Sequence, residues 1–136
     1  MLGLDGDKGN AEARDEVLRQ SSEVAAVVAY FPPVDLRDWV GPSERFPALE
    51  FDEGLADSVS PILYVSSDDP PTLLVHGDND TLVPISHSER IYAALKEHKV
   101  KTKFITIEGA GHGFRGDDAK RASDALVSWF EKHLTK

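Results

Sequence analysis

Short apolar runs, each closed by Gly, Pro or acidic residues, alternate along this chain with two segments whose apolar positions recur at helical spacing. Val24 to Phe31 is a continuous apolar run stopped by Pro32-Pro33, the pattern of a strand buried on both faces of a parallel sheet. Thr72 to His76 is a second such run and ends in a Gly/Asp turn. Thr102 to Ile107 alternates and is rich in Thr, Phe and Ile, as a strand should be. Between the last two runs, Ser86 and Glu89 read as an S-x-x-E capping box, followed by Ile91, Ala94 and Leu95 on one helical face. Asp117 and Asp118 mark the start of a final helix, where carboxylates favour the N-terminal dipole. Its apolar stripe is Ala122, Leu126, Trp129, Phe130 and His133-Leu134.

The remaining segments carry weaker patterns. Residues 1–22 are polar and Gly/Asp-rich, with Ala11 to Gln20 as a candidate short helix. Residues 34–59 are broken by Gly41-Pro42, Pro47 and Gly54 and are expected to form an irregular or cap-like insertion, after which Ser60-Pro61 opens a helical turn toward Tyr64. The order β-α-β-α-β-α predicts an α/β fold, a three-layer arrangement around a short parallel sheet of three or four strands with right-handed crossovers. No internal repeat interrupts that order, and the length suits one domain over residues 1–136.

Composition narrows the partners. With 24 acidic against 15 basic residues the net charge is −9 and no Lys/Arg run occurs, so nucleic acid and membrane surfaces are not expected as partners. No stretch approaches the ~20 apolar residues of a membrane-spanning helix. The N-terminus lacks a basic region followed by an apolar one. The absence of cysteine excludes disulfides, thiolate metal sites and a Cys nucleophile while leaving the compartment open. Asp5, Asp7 and Glu16 fall at positions 1, 3 and 12 of a calcium-like loop, but Gly9 and Asn10 reverse the order its turn requires and no apolar helix enters it. That segment reads as a solvated acidic loop, and no metal or cofactor is expected.

Candidate chemistry sits at two strand ends. P-T-L-L-V-H-G-D-N-D-T-L-V-P, Pro71 to Pro84, delivers Asp80 to the loop after the second strand, and G-A-G-H-G-F, Gly109 to Phe114, delivers His112 to the loop after the third. Alone, Asp80 is equally a turn residue whose carboxylate bonds the following backbone. The glycines around His112 supply no apolar walls and permit close approach of backbone to a partner. An acid and a histidine on successive strand-end loops are two members of a nucleophile–His–acid triad. His76 reads as a structural hydrogen-bonding residue, and His87, His98 and His133 as solvated.

These motifs, with A-V-V-A-Y-F-P-P-V-D-L at Ala26 to Leu36 and S-P-I-L-Y-V-S-S-D-D-P-P at Ser60 to Pro71, make the chain resemble the C-terminal half of an α/β-hydrolase, near the acetyl-esterase-like and prolyl-oligopeptidase-like branches. The resemblance implies the order nucleophile, acid, histidine. It makes Asp80, four residues after His76, the triad acid, and His112, thirty-two residues further on, the general base. It also implies a small acyl ester as substrate, or an amide if the peptidase branch applies. Neither a Gly-x-Ser-x-Gly elbow nor an H-G-G-G-type oxyanion loop occurs in residues 1–136, and Met1-Leu2-Gly3-Leu4 resembles the tail of the helix that follows the elbow. The chain is therefore expected to be part of a larger serine hydrolase, inactive alone; the alternative is a non-catalytic α/β association module. In such a part the strand Val24 to Phe31 lacks a neighbour, so a homo-oligomer through that exposed edge is expected.

Overall fold

The computed structural model describes residues 3–134. Strands β1 (Val27–Tyr30), β2 (Thr72–Gly77) and β3 (Thr102–Ile107) form a parallel sheet in that order, with helices α1 (Ser86–Glu97) and α2 (Gly116–Leu134) following β2 and β3. Successive side chains of a strand point to opposite faces, and β2 uses both. Leu74 joins Val34, Ile91, Leu95 and Val100 on the α1 side, whereas Leu73 and Val75 join Ile107, Ala122 and Trp129 on the α2 side. The result is the expected three-layer α/β arrangement with three strands, and all six residues of β2 are buried. Tyr30 and Trp129 tie the α2 layer down by donating to the carbonyls of Ala122 (2.8 Å) and Pro71 (3.3 Å). The register pairs Gly77 with Ile107, so β2 and β3 end together and their loops start side by side.

Several elements differ from the sequence reading. Over Ala11 to Gln20 only Val17–Arg19 forms a helical turn, because Asn10 and Asp15 side chains take the backbone N–H groups of Glu12 and Val17. The first strand is confined to Val27–Tyr30 and half-buried, with Val24 and Ala25 exposed before it. No α-helix joins β1 to β2. Three short 3-10 turns, Pro47–Leu49, Glu53–Leu55 and Asp57–Val59, fill the proline- and glycine-broken insertion, and Pro61–Tyr64 forms the fourth. The S-x-x-E box does not form at α1. Ser86 already lies in the first turn, Ile85 takes the cap position without a side-chain bond, and the Glu89 N–H donates to the Ile85 carbonyl. On α2, Ala122 and Trp129 are buried, but Leu134 at the end of the predicted stripe is exposed. Of the expected helix tail at Met1-Leu2-Gly3-Leu4, the first two residues lie outside the described ones; Gly3 and Leu4 form a turn, and Leu4 packs against the α1-side core.

The outer edge of β1 pairs with no strand among the described residues. Val27 and Phe31 donate inward, to the carbonyls of Pro71 and Val75, so the alternating N–H groups of Val28 and Tyr30 face away from β2. Beside this edge an apolar hollow of about 280 Å³ is lined by Ala29, Pro33, Val34, Leu74, Ile91 and Leu95.

After β1, the buried Asp35 accepts two bonds from the Arg37 guanidinium (2.8 and 2.7 Å) and one from Arg90 of α1 (3.0 Å). The Arg37 bond outweighs burial and, with the charge of Arg90, holds the Asp35 carboxyl far below the usual carboxylate range. A depressed native pKa stabilises the fold above the unfolded value near ~4 and loses that contribution as pH falls toward the native value. We expect the urea midpoint to fall between pH 5 and pH 3 less steeply in Asp35→Asn than in the native chain. Equal slopes would show that this carboxylate is not coupled to folding.

Candidate active site

Two backbone bonds and one Asp78 side-chain bond hold the loops after β2 and β3 together. The Asp78 and Asn79 N–H groups donate to the carbonyls of Ile107 and Ala110 (3.3 and 3.0 Å), and the Asp78 carboxylate accepts the Gly109 N–H at 2.6 Å. Gly77 makes this possible. A Cβ there would lie 2.1 Å from the Ala110 carbonyl oxygen, far inside contact distance. Beside His112, Gly113 adopts φ 139°, a conformation that L side chains rarely enter.

This scaffold brings Asp80 and His112 together. The Asp80 side chain is fully buried, that of His112 is one-third exposed, and Nδ1 of the ring lies 2.8 Å from Oδ2 of the carboxylate. The other oxygen, Oδ1, accepts the N–H groups of Leu82 and Val83 at 2.9 Å each. Turn residue and histidine partner are thus one role per oxygen rather than alternatives. Burial is the largest influence on Asp80 and opposes its ionisation; the hydrogen bonds from Val83, His112 and Leu82 together overcome it and hold the pKa below its ordinary value. An ionised carboxylate only accepts, so Nδ1 of His112 carries the proton and Nε2 is left as the acceptor, the tautomer a general base requires.

His76 is buried within the layer beneath. Its Nε2 donates to the Val83 carbonyl at 2.9 Å and lies 3.3 Å from Oδ2 of Asp80, while Nδ1 meets the buried Ser88 hydroxyl at 2.7 Å. This ring braces the Asp80 loop from below. His98 is exposed as expected, but His87 is not solvated. It is buried against the ring of Trp39 (4.7 Å), and Nδ1 accepts the N–H groups of Val34 (3.2 Å) and Asp35 (3.4 Å). Burial, with the neighbouring Arg90 charge, lowers its pKa. Its spacing of four and eight residues before Ile91 and Leu95 places it on the buried stripe of α1, a signal present in the sequence. His133 is half-buried rather than solvated, its ring 4.3 Å from that of Trp129 one turn earlier.

Two further residues reach the site without a local signal. Phe31, directly after β1, has φ 39° although it precedes a proline that favours extended backbone. A left-handed non-glycine residue costs about 1–2 kcal/mol. Its ring lies 4.3 Å from the His112 ring and 5.4 Å from that of Phe114. Arg45, from the irregular insertion, donates to the carbonyls of Thr81 and Leu82 and so ties that insertion to the Asp80 loop. Among the described residues no group of three or more His, Asp or Glu is arranged to hold a metal ion.

The sequence profile of the Prolyl oligopeptidase family matches residues 18–136. An uncharacterized peptidase, YuxL, of Bacillus subtilis is 32% identical over 79 residues, covering 55% of this chain and 12% of that protein. Esterase LipQ of Mycobacterium tuberculosis is 37% identical over 62 residues, covering 45% of this chain and 15% of that protein. Among solved structures, an acetyl ester-xyloside bifunctional hydrolase from Caldicellulosiruptor lactoaceticus superimposes with a TM-score of 0.80 at 26% identity, covering 96% of this chain and 50% of that one. Esterase 2 of Thermogutta terrifontis gives 0.72 at 25% identity, over 90% of this chain and 47% of that one. The chain thus spans half or less of each of these proteins.

Proposed function

The chain belongs to the prolyl oligopeptidase family of α/β-hydrolases, and from that premise we propose that it carries the acid and the histidine of a serine hydrolase acting on carboxylic esters. One observation carries the reading: the 2.8 Å contact between Asp80 and Nδ1 of His112 on adjoining strand-end loops. Nε2 of His112 takes the proton of a serine hydroxyl as the oxygen attacks the acyl carbonyl, then returns it to the departing alcohol, and water repeats the cycle on the acyl-enzyme. Asp80 holds the ring in the required tautomer and stabilises the imidazolium. The serine and the oxyanion donors come from sequence beyond residues 1–136, which contain no Gly-x-Ser-x-Gly. The edge of β1, which pairs with no strand among the described residues, and the apolar hollow beside it support a sheet that continues on that side. Ester over amide is favoured by the ester-hydrolase relatives, whereas the family name and the Bacillus relative favour an amide as the second reading.

A serine-reactive fluorophosphonate tests this. The chain alone remains unlabelled and cleaves nitrophenyl acetate no faster than free imidazole. Joined to a segment bearing Gly-x-Ser-x-Gly, such as the complementary half of one of these esterases, it labels one serine in a His112-dependent manner and cleaves nitrophenyl esters faster than acyl-nitroanilides. Stoichiometric labelling of a serine within the isolated chain would sink the reading, as would labelling of the joined protein that is indifferent to His112.

A further inference from the structure

We propose that Phe31 is a positioning residue for His112, a ring aimed by left-handed backbone to hold the imidazole against Asp80 and to stabilise it when it becomes positively charged. The inference rests on the reading of Asp80 and His112 given above. A phenylalanine immediately before Pro32 has two reasons to be extended, its own sterics and the proline, and it adopts φ 39° instead. Strain of this kind persists only where the surroundings impose it, and it gathers at functional sites. Here the turn redirects the chain at the C-terminal end of β1 and delivers the ring to the His112 imidazole, centroid to centroid 4.3 Å with the planes tilted by 50°. The ring of Phe114 packs on that of Phe31 at 5.4 Å, and the His76 ring lies edge-on to Phe31 at 6.4 Å. A cation within about 6 Å of an aromatic face is attracted by the ring quadrupole, so the contact strengthens at the moment His112 takes a proton.

Among the described residues, the charged and titratable groups bearing on His112 come from several elements, and one of them is Arg45 of the irregular insertion, bound to the Thr81 and Leu82 carbonyls beside Asp80. Asp80 and, behind it, His76 come from β2 and its loop. Asp78 of the same loop binds Gly109 in the histidine loop, and Arg115, three residues beyond His112, is exposed. At the end of β1 the imidazole meets the ring of Phe31, while Tyr30, the neighbouring titratable residue of that strand, turns its hydroxyl to the Ala122 carbonyl.

The test is titration of the histidine ring nitrogens by NMR in the full chain, with urea unfolding as a check that each variant folds. Phe31→Leu keeps most of the apolar volume and removes the ring; the His112 midpoint is expected to fall by about half a pH unit, the size of an exposed cation–aromatic contact. Phe31→Tyr keeps the ring and restores the native midpoint. Phe31→Gly unfolds at higher urea than Phe31→Ala, reversing glycine's usual disadvantage, because only glycine relieves the left-handed backbone. A Leu variant that titrates like the native chain overturns the proposal, and so does a Gly variant less stable than the Ala variant. Asp80→Asn separates this inference from the one beneath it. If that variant leaves the His112 midpoint unmoved, the acid–histidine reading fails, whereas a native-like Leu midpoint beside a shifted Asn midpoint removes only the role of Phe31.

Discussion

Replacing His112 by alanine in the assembled hydrolase is expected to lower kcat by about 10⁶-fold, and Asp80→Asn by about 10⁴-fold, with KM little changed. On the proposed mechanism alanine removes the group that accepts the serine proton, and a water in its place has neither the basicity nor the orientation. Asparagine acts more subtly. Its carbonyl can still accept the N–H groups of Leu82 and Val83 that the native Oδ1 binds at 2.9 Å, so the turn survives. Its NH₂ group then faces Nδ1 of His112 and favours the tautomer with the proton on Nε2, which cannot act as the base. Asp80→Ala differs by also opening the turn, and it should lower stability where Asn does not. Steady-state kinetics on a nitrophenyl ester, with circular dichroism to confirm folding, decides the matter. A His112→Ala enzyme keeping more than about one part in a hundred of the native kcat would mean that another base does the work.

Gly77→Ala is expected to destabilise the chain by about 3 kcal/mol or more, at the upper end of overpacking costs. The added Cβ meets the Ala110 carbonyl oxygen at 2.1 Å, its carbon at 2.6 Å and the Gly111 oxygen at 2.9 Å, all of them backbone atoms that no rotamer change can move aside. Relief requires the histidine loop to retreat, which also breaks the bond from the Asn79 N–H to the Ala110 carbonyl and draws His112 from Asp80. The variant should therefore lose the coupling between the two side chains even where it stays folded. Urea unfolding together with the His112 titration measures both. A loss below about 1 kcal/mol would show that the loops have slack the geometry denies.

What was legible in the sequence was what local chemistry determines. The runs at Thr72 and Thr102 became β2 and β3: the first is apolar toward both faces and buried throughout, and the second alternates between turn residues. Asp80 and His112 stood out because glycine and acidic residues at strand ends mark tight, exposed turns. The failures have equally local causes in two instances. Side chains of Asn10 and Asp15 compete with the backbone and dissolve the Ala11 to Gln20 helix, and His87, expected to be solvated, is buried as its spacing to Ile91 and Leu95 requires. Phe31 and Arg45 are different. Their partners lie 81 and 37 residues away, at His112 and Leu82, and no window on the chain contains both ends of either contact.

The lacing of the two strand-end loops also decides where the chain tolerates a change of length. One residue inserted between Gly77 and Asp80, or between Ile107 and His112, shifts a ladder in which the Asp78 and Asn79 N–H groups, the Gly109 N–H and the Ala110 carbonyl all have fixed partners. Around Asp52 to Leu55 the chain is exposed and meets the rest of the fold through short turns, so added residues there displace solvent and little else. Added or removed residues are therefore expected to be tolerated on the side of the molecule where the 3-10 turns lie, while the loops bearing Asp80 and His112 must hold their length.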